Sequence, residues 1–370
     1  MREYDLRDIF SHFEAEGEFS RGAPIGQGHI HDTYMIEVRS ADRIGRVTLQ
    51  RINTNVFRKP ELMMQNFQKI TRHLRRRLAR MPGHDPDRET LNLIPTKTGE
   101  SFFRSARGDY WRAYRFVSDC HTVEAARTPV QAYQAGRAFG FFQKLLIDFP
   151  VADLHETIPF FHHTPRRLKK FLEVLEKDCL GRRRESAAAV SFALARAPMA
   201  GIVTGGLEDG TLPLRITHND TKINNVLFDD STGEAVCVLD LDTTMPGSAL
   251  YDFGDMVRTT TCSAAEDERD LAKINLDMGM FESLSRGYLE EAGEFLTDKE
   301  VSLLVFSGRL ITFTIGLRFL TDHLEGDVYF KIHRPGHNLE RAKAQFALVE
   351  SLEEREAEMN EVLRSLTAKP

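Results

Sequence analysis

The residues best suited to chemistry are three carboxylates and one amide in a single stretch of the chain. Asp220 and Asn225 form the pattern HxDxxxxN, and Asp240 and Asp242 follow further along. Carboxylate and amide oxygens suit Mg²⁺, which combines a few protein ligands with phosphate oxygens and water. Phosphoryl transfer needs such a metal, a positioned nucleophile and compensation of charge. We predict that Asp220 accepts a hydroxyl proton, that Asn225 and Asp240 bind the metal, and that Asp242 either binds the metal or positions the loop.

A β-hairpin would bring these side chains together. Two apolar runs, at residues 226–228 and 236–239, flank a polar turn that contains a glycine. This pattern predicts two antiparallel strands. Because the outer ends of a hairpin meet at one edge, we expect Asn225 and Asp240 to lie close together.

Three further polar residues of this stretch are assigned supporting roles. We expect His218 to shape the loop by a hydrogen bond to the backbone rather than to transfer a proton. Asp252 and Asp255, in the segment YDFGD, are interpreted as a helix cap and a brace for the loop.

A glycine-rich segment near the N-terminus predicts a second functional loop. A strand beginning at Pro24 is turned by Gly26 and Gly28, and residues 33–38 alternate back out as a strand. Residues 46–52 form the next predicted strand. Glycine leaves room for backbone N–H groups to approach phosphate oxygens. We therefore expect Gly26 and Gly28 to contact a phosphate at the edge of an antiparallel sheet.

The remaining pattern divides the chain into a sheet-rich part and a helical part. Pro60 opens a helix, and strands are predicted at residues 91–96, 101–104 and 110–117. After residue 117 the periodicity is helical apart from the hairpin, with helices predicted at residues 128–148, 164–175, 186–197, 297–324 and 339–366. This predicts an α+β fold with two lobes: an N-terminal antiparallel sheet lobe that binds nucleotide, residues 1–117, and a larger catalytic and substrate-binding lobe, residues 118–370.

Composition narrows the class of protein. The chain has 370 residues and a net charge of -6, which argues against a nucleic-acid surface. Its four cysteines form no CxxC pair, and the N-terminus has no apolar signal region, so we expect a cytoplasmic protein with reduced thiols. The apolar stretch at residues 303–320 contains Arg309 and Arg318, which favours a core helix over a membrane span.

Several motifs together resemble one known family. HNDTKINNVLFD, VLDLDTTMPG and YDFGD are similar to the catalytic and metal-binding segments of the aminoglycoside phosphotransferase / choline kinase family. Within it, the chain most resembles N-acetylhexosamine 1-kinases, and the likeness extends to GQGHIHDTYMIE, LQRINTNVF, WRAYRF and LRFLTDHLEGDVYF. The resemblance covers most of the chain and implies a protein-kinase-like fold that uses ATP and Mg²⁺.

The resemblance also implies roles for individual residues. It makes Asp220 the catalytic base, with Asn225 and Asp240 as metal ligands. The backbone of Phe116 and Val117 would be the hinge that binds adenine. The residues implied as contacts of the sugar substrate are His31, Arg318 and Tyr329.

Two departures from the family pattern concern the nucleotide site. The glycine loop reads GxGxxH rather than GxGxxG. The strand after it carries Gln50 and Arg51 where protein kinases have a lysine that binds phosphate. The forked donors of Arg51 suit phosphate oxygens, although a solvent-facing Arg51 is the alternative.

Other interpretations stay open on the sequence alone. Arg318 is equally well explained by a salt bridge to Asp322, one helical turn away. The DxDxT pattern at Asp240 also matches haloacid-dehalogenase-like phosphatases, and the missing lysine is compatible with a pseudokinase that only binds ligands. Homoserine, choline and aminoglycosides are alternative substrates. We expect a monomer or small homo-oligomer that engages no membrane.

Overall fold

A computed structural model describes residues 4–25, 30–41 and 43–368. Its N-terminal lobe is an antiparallel sheet in the order β1-β2-β3-β6-β4, with β5 paired to β6. The strands are β1 Glu18–Pro24, β2 Asp32–Ser40, β3 Arg43–Ile52, β4 Leu93–Ile94, β5 Phe103–Arg104 and β6 Tyr110–Arg115. The two helices of this lobe are α1 Leu6–Ser11 and α2 Pro60–Leu78.

The two faces of the sheet differ because strand side chains alternate between faces. One face, which includes Ile36, Leu49 and Trp111, packs under α1 in an apolar cluster. The opposite face looks towards α2, whose side chains Met64 and Phe67 are fully buried. Polar residues of β2, β3 and β6 on this second face therefore point into the space between the two lobes.

The C-terminal lobe is mainly helical. Its helices are α3 Pro129–Leu145, α4 Thr164–Lys177, α5 Ala187–Arg196, α6 Ile202–Glu208, α7 Ala249–Thr260, α8 Met278–Ala292, α9 Asp298–Glu325, α10 His337–Glu354 and α11 Glu356–Thr367. Its strands are β7 Cys120–His121, β8 Arg215–Thr217, β9 Val226–Asp229, β10 Ala235–Val238 and β11 Met245–Gly247, which form the small sheets β10-β9-β7 and β11-β8. The observed two-lobed α+β fold confirms the predicted fold class.

Helix α9 is the centre of this lobe. It begins with the predicted capping box, in which Thr297 and Glu300 bond each other's backbone N–H groups. The helix is long and apolar enough to cross a bilayer, but 78% of its most apolar window is buried inside the protein. A second stretch, Ala187–Glu208, meets the same length and composition test with 33% of its window buried.

Helices α3 and α8 pack against each other unusually closely. Gly287 on α8 lies so close to α3 that a methyl group there would sit 2.0 Å from the carbonyl oxygen of Tyr133. Gly136 on α3 faces the Leu284 carbonyl in the same way, at 2.2 Å. Only glycine allows two helix backbones to approach so closely.

Some predicted boundaries differ from the structure. The strand predicted at residues 91–96 contains only the two residues of β4, and the strand predicted at 110–117 ends at Arg115. The single helix predicted at 339–366 is two helices that meet at Arg355, because α10 packs along α9 while α11 turns to contact α8.

Candidate active site

The hairpin of β9 and β10 forms as predicted and brings its outer ends together. Val226 pairs with Val238, and the backbone N–H of Leu239 donates to the carbonyl of Asn225 at 2.8 Å. Asp240 follows directly in the left-handed region, with φ 54°. Such a conformation is uncommon for a residue other than glycine, and it turns the chain sharply at the edge of the cleft.

Asp220 lies between an amide and a cation. The side-chain amide of Asn225 donates to the backbone carbonyl of Asp220 at 2.8 Å and to its Oδ2 at 3.2 Å. Lys222 Nζ lies 3.0 Å from Asp220 Oδ1. Although burial pushes the pKa of Asp220 upwards, the Lys222 ammonium group holds this pKa below its ordinary value. Asp220 is therefore a carboxylate at neutral pH, and the amide donor of Asn225 turned towards it leaves the Asn225 carbonyl oxygen facing away.

Two buried aspartates of α7 hold the catalytic loop from below. Asp252 accepts the backbone N–H groups of His218 at 2.9 Å and Asn219 at 2.7 Å, and Asp255 accepts that of Thr221 at 3.0 Å. Both residues are therefore loop braces, whereas the cap of α7 is Ser248. The bonds fix the backbone on both sides of Asp220.

His218 also has the predicted structural role. Its Nε2 bonds the carbonyl oxygen of Leu239 at 2.7 Å, which ties the catalytic loop to the end of β10. The ring is completely buried and packs edge-on against Phe139 and Phe142 of α3. Proton exchange with a ligand in the cleft is blocked by this burial.

Asp240 has the environment expected of a metal ligand. Within the described residues its carboxylate has no hydrogen-bond or ion-pair partner. Burial, reinforced by the charges of Asp242 and Asp220, raises the pKa of Asp240. A partly buried acid that faces two other acids without a cation of its own is suited to a divalent cation. The donor set of Asp240 and the Asn225 oxygen therefore fits Mg²⁺.

Asp242 lies beside Asp240 in a candidate metal group, because ligand atoms of His31, Asp240 and Asp242 all lie within 4.8 Å of one another. Arg112 of β6 forms a two-pronged ion pair with both of its oxygens, and His31 Nε2 lies 2.7 Å from Oδ2. All three side chains are almost completely buried. The guanidinium and imidazole groups hold the pKa of Asp242 well below its ordinary value, against the opposing effect of burial. These contacts suit the predicted positioning role, and the place of Asp242 beside Asp240 suits the predicted metal role, so both stay predictions.

The same contacts correct the prediction that His31 binds the sugar. His31 Nδ1 accepts the backbone N–H of Asn53 at 3.0 Å, so Nε2 carries the proton that is donated to Asp242. The ring also stacks on Phe57 at 5.4 Å. With both ring nitrogens used and its surface buried, His31 belongs to the interior of the site rather than to a substrate pocket.

The prediction that Arg51 covers the phosphates is also corrected. Arg51 points to the α1 face of the sheet, where it pairs with Asp32 at 2.7 Å and lies over the ring of Tyr4. Its neighbour Gln50 faces the cleft, because adjacent strand residues point to opposite faces. Gln50 bonds Thr33 of β2 and Arg112 of β6. The place of the kinase lysine is therefore held by an amide.

The other residues predicted to contact nucleotide are two glycines and the segment at residues 116–117. Gly26 and Gly28 fall outside the described residues. Phe116 and Val117 form the extended link between the lobes, and the N–H of Phe116 is used by the carbonyl of Arg46 at 3.3 Å. The Phe116 carbonyl and the Val117 N–H have no hydrogen-bond partner among the described residues.

Arg318 and Tyr329 lie close to each other in the C-terminal lobe, at the end of α9 and in the loop that follows it. The Arg318 guanidinium sits 5.8 Å from the Tyr329 ring, 5.2 Å from that of Phe330 and 5.8 Å from that of Phe161. Within the described residues it has no carboxylate within salt-bridge distance. Burial lowers the pKa of Arg318 despite the nearby Tyr329 hydroxyl.

The alternative salt bridge between Arg318 and Asp322 does not form. Asp322 instead accepts the backbone N–H groups of Val328, Tyr329 and Phe330 at 2.7–3.0 Å. Asn338 also donates to it, at 2.8 Å. The carboxylate thereby shapes the loop after α9 that presents Tyr329, whose side chain is 69% exposed.

Three residues near the site had not been assigned a role from the sequence. Lys222 and Arg112 are described above, and each had a signal: a lysine two residues after the base, and an arginine inside a buried strand. His162 is buried and bonds the carbonyl oxygen of Asn219 at 2.9 Å. Burial lowers its pKa to about 4, so the ring is neutral at physiological pH. The sequence gives no sign of this contact.

Comparisons with known proteins agree with this architecture. A model of the phosphotransferase enzyme family matches residues 21–285. A microcompartment-associated aminopropanol kinase is similar in structure, with a TM-score of 0.61 at 14% identity over 96% of this chain and 97% of the other. An aminoglycoside phosphotransferase from Alicyclobacillus acidocaldarius gives 0.63 at 13% identity over 99% and 97%. A choline kinase from Cryptosporidium parvum gives 0.54 at 13% identity over 94% and 93%.

Proposed function

Since this chain belongs to the phosphotransferase enzyme family, we propose that it is a kinase that uses ATP and Mg²⁺ to phosphorylate a small molecule at a hydroxyl group. The acceptor we propose is the anomeric hydroxyl of an N-acetylhexosamine, N-acetylglucosamine or N-acetylgalactosamine, and the product is the sugar 1-phosphate.

The arrangement of Asp220, Asn225 and Asp240 carries the proposal. Asp220 is a carboxylate braced on both sides, and it accepts the proton of the acceptor hydroxyl as that oxygen attacks the γ-phosphate. An anomeric hydroxyl is more acidic than an ordinary alcohol, so a weak carboxylate base suffices for it. Lys222, 3.0 Å from Asp220, keeps the base ionised and adds positive charge where the phosphoryl group passes.

Asp240 and the Asn225 carbonyl oxygen would hold Mg²⁺, which supplies compensation of phosphate charge and orientation of the γ-phosphate. The glycine loop at Gly26 and Gly28 would cover the phosphates. The Phe116 carbonyl and the Val117 N–H would bind the adenine edge. Two relatives support nucleotide use, since a spectinomycin phosphotransferase is described in complex with ADP and an aminoglycoside 2'-phosphotransferase in complex with GDP.

On the acceptor side we assign Arg318 and Tyr329 to the sugar. An arginine with aromatic neighbours and no carboxylate partner among the described residues suits the acetamido carbonyl and ring oxygens of a neutral sugar. It disfavours choline, because a quaternary ammonium group needs a cage of aromatic rings and acids rather than a guanidinium. Homoserine and aminoglycosides remain alternative acceptors of the same reaction.

A DxDxT phosphatase is disfavoured by the fold. Asp240 ends a strand of an antiparallel hairpin within a two-lobed kinase fold, whereas that phosphatase class requires its nucleophile on a parallel sheet. A pseudokinase is disfavoured by the intact base and metal residues.

The test is a screen of ATP consumption over free sugars, amino alcohols and aminoglycosides, with the position of the new phosphate determined by phosphorus NMR. We expect turnover with an N-acetylhexosamine and a 1-phosphate product. Asp220→Asn should lose at least about 100-fold in kcat, as expected for removal of a general base. A 6-phosphate product, or turnover with amino alcohols alone, would refute the sugar 1-kinase assignment.

A further inference from the structure

The position that carries the phosphate-binding lysine in protein kinases is occupied here by an uncharged residue. Gln50 pairs across the sheet with Thr33 of β2 and with Arg112 of β6. Its amide nitrogen donates to Thr33 at 2.9 Å, and its oxygen accepts from Arg112 Nε at 2.9 Å. In protein kinases the positive charge at this place is a lysine on β3, whereas here it is Arg112 on the neighbouring strand β6.

The Arg112 side chain is buried, and contacts from both lobes surround it. It is 2% exposed, it lies 4.6 Å from the Phe67 ring of α2, and its forked donors reach both oxygens of Asp242. In protein kinases the β3 lysine pairs with a glutamate on the helix that corresponds to α2. Here Glu61 of α2 is bonded to the Tyr110 hydroxyl instead. Arg112 has no carboxylate partner other than Asp242 among the described residues.

The partner of Arg112 lies next to the metal loop. Asp242 comes two residues after Asp240, and a short 3₁₀ turn at Leu241–Thr243 begins directly after Asp240. The second contact of Asp242, His31, also comes from the N-terminal lobe. Two side chains of the N-terminal lobe thus bind the loop of the C-terminal lobe that carries Asp240.

We propose that Arg112 is a positioning residue: it anchors Asp242, and through Asp242 it sets the place of the Asp240 carboxylate in the cleft. It touches no phosphate itself, because its donors are used by Asp242 and Gln50. The inference rests on the proposed kinase function. Partners that orient a metal ligand typically contribute 10–100-fold to metal affinity.

Nucleotide binding tests this without any acceptor. Binding of ADP would be measured by calorimetry with and without Mg²⁺ for the wild type and for Arg112→Met. The matched control is Arg39→Met, which removes an exposed arginine of the same sheet. We expect the strengthening of ADP binding by Mg²⁺ to fall at least about tenfold in Arg112→Met, with metal-free ADP binding within about threefold of wild type. Arg39→Met should leave both unchanged.

A rescue variant separates positioning from general damage to the fold. Gln50→Lys combined with Arg112→Met returns a cation to β3, where the structure places residue 50 beside the same network. We expect this double variant to regain at least about threefold of the lost Mg²⁺ effect. If Arg112→Met does not melt cooperatively, Arg112→Lys is measured instead, and a reduced Mg²⁺ effect is again expected because a lysine cannot bridge both oxygens.

Three results would overturn the inference. A full Mg²⁺ effect in Arg112→Met or Arg112→Lys would show that Arg112 does not set the metal ligand. An equal loss of metal-free ADP binding would show direct contact with the phosphates. Wild-type ADP binding that Mg²⁺ does not strengthen would overturn both this inference and the proposed function, whereas failure to find a sugar acceptor would affect only the latter.

Discussion

Replacing Asp252 by asparagine should weaken both the fold and catalysis, although the two side chains have the same shape. Asp252 is fully buried beneath the catalytic loop. Its Oδ1 accepts from the Asn219 N–H, and its Oδ2 accepts from the His218 N–H and from Gln143 Nε2. An asparagine offers one acceptor and one donor group, so one side of this arrangement must bring two donors face to face.

The expected loss in the free energy of unfolding follows from these three hydrogen bonds. If the amide oxygen takes the place of Oδ2, two bonds survive and the Asn219 N–H loses its acceptor. One charge-assisted bond lost in the interior costs about 1.5–3 kcal/mol, and the buried N–H without an acceptor adds about 1–3 kcal/mol. Burial raises the pKa of Asp252, so the wild-type carboxylate is held at a desolvation cost that asparagine avoids. We therefore expect a net loss of about 2 kcal/mol in the free energy of unfolding.

Urea denaturation and steady-state kinetics would measure the two effects. The shifted Asn219 backbone displaces the adjacent Asp220, so kcat should fall about 10–100-fold while KM for ATP changes less than about threefold. Asp153→Asn, at an exposed aspartate without a hydrogen-bonded side chain, is the matched control and should change neither quantity. Unchanged stability together with a kcat within about twofold of wild type would refute the bracing role of Asp252.

Three further perturbations have defined outcomes. Lys222→Met removes the ammonium group that lowers the pKa of Asp220, so this pKa should rise. The acid limb of the pH profile of kcat/KM should then move to higher pH. An unmoved acid limb would contradict the pairing of Lys222 with Asp220. Arg318→Met should raise KM for the acceptor about 10–100-fold, which corresponds to the loss of one charged hydrogen bond. KM for ATP should stay unchanged. Equal effects on the two KM values would show that Arg318 does not bind the acceptor. Glu300→Gln breaks a buried ion pair in which Arg215 bonds the two Glu300 oxygens at 2.6 and 2.7 Å. The free energy of unfolding, measured with denaturant, should fall by about 3–5 kcal/mol. A loss below about 1 kcal/mol would show that the pair is dispensable for stability.

The local features of the site were predictable because they depend on short-range pattern. The turn between β9 and β10 fixes the register, and the register brings Asn225 and Asp240 together. Asp220 and Asn225 lie five positions apart in one motif, so their pairing also depends on short-range pattern. The capping box at Thr297 was recognised for the same reason, since both of its partners lie within one turn of helix.

Side-chain direction and long-range pairing were not predictable in the same way. A shift of one residue along a strand reverses its face, so the sequence could not decide between Gln50 and Arg51 as the residue that faces the cleft. His31 and Asp242 are separated by 211 positions, and their contact depends on how the lobes dock. Arg318 and Asp322 have ideal helical spacing, yet Asp322 bonds the loop after α9, because three backbone N–H groups that would otherwise be unpaired outweigh one ion pair.

That loop has a consequence for how acceptor preference can change. Asp322 holds residues 328–330 through their backbone N–H groups, which every residue except proline possesses. The side chains of Val328 and Tyr329 are 75% and 69% exposed and contribute little to the core. The shape of the loop is thus separate from its chemistry, so substitutions at these two positions can be sampled at little cost in stability. On the proposed role of Tyr329 at the acceptor, libraries at positions 328 and 329 are the natural starting point for redirecting the chain to new acceptors, by evolution or by design.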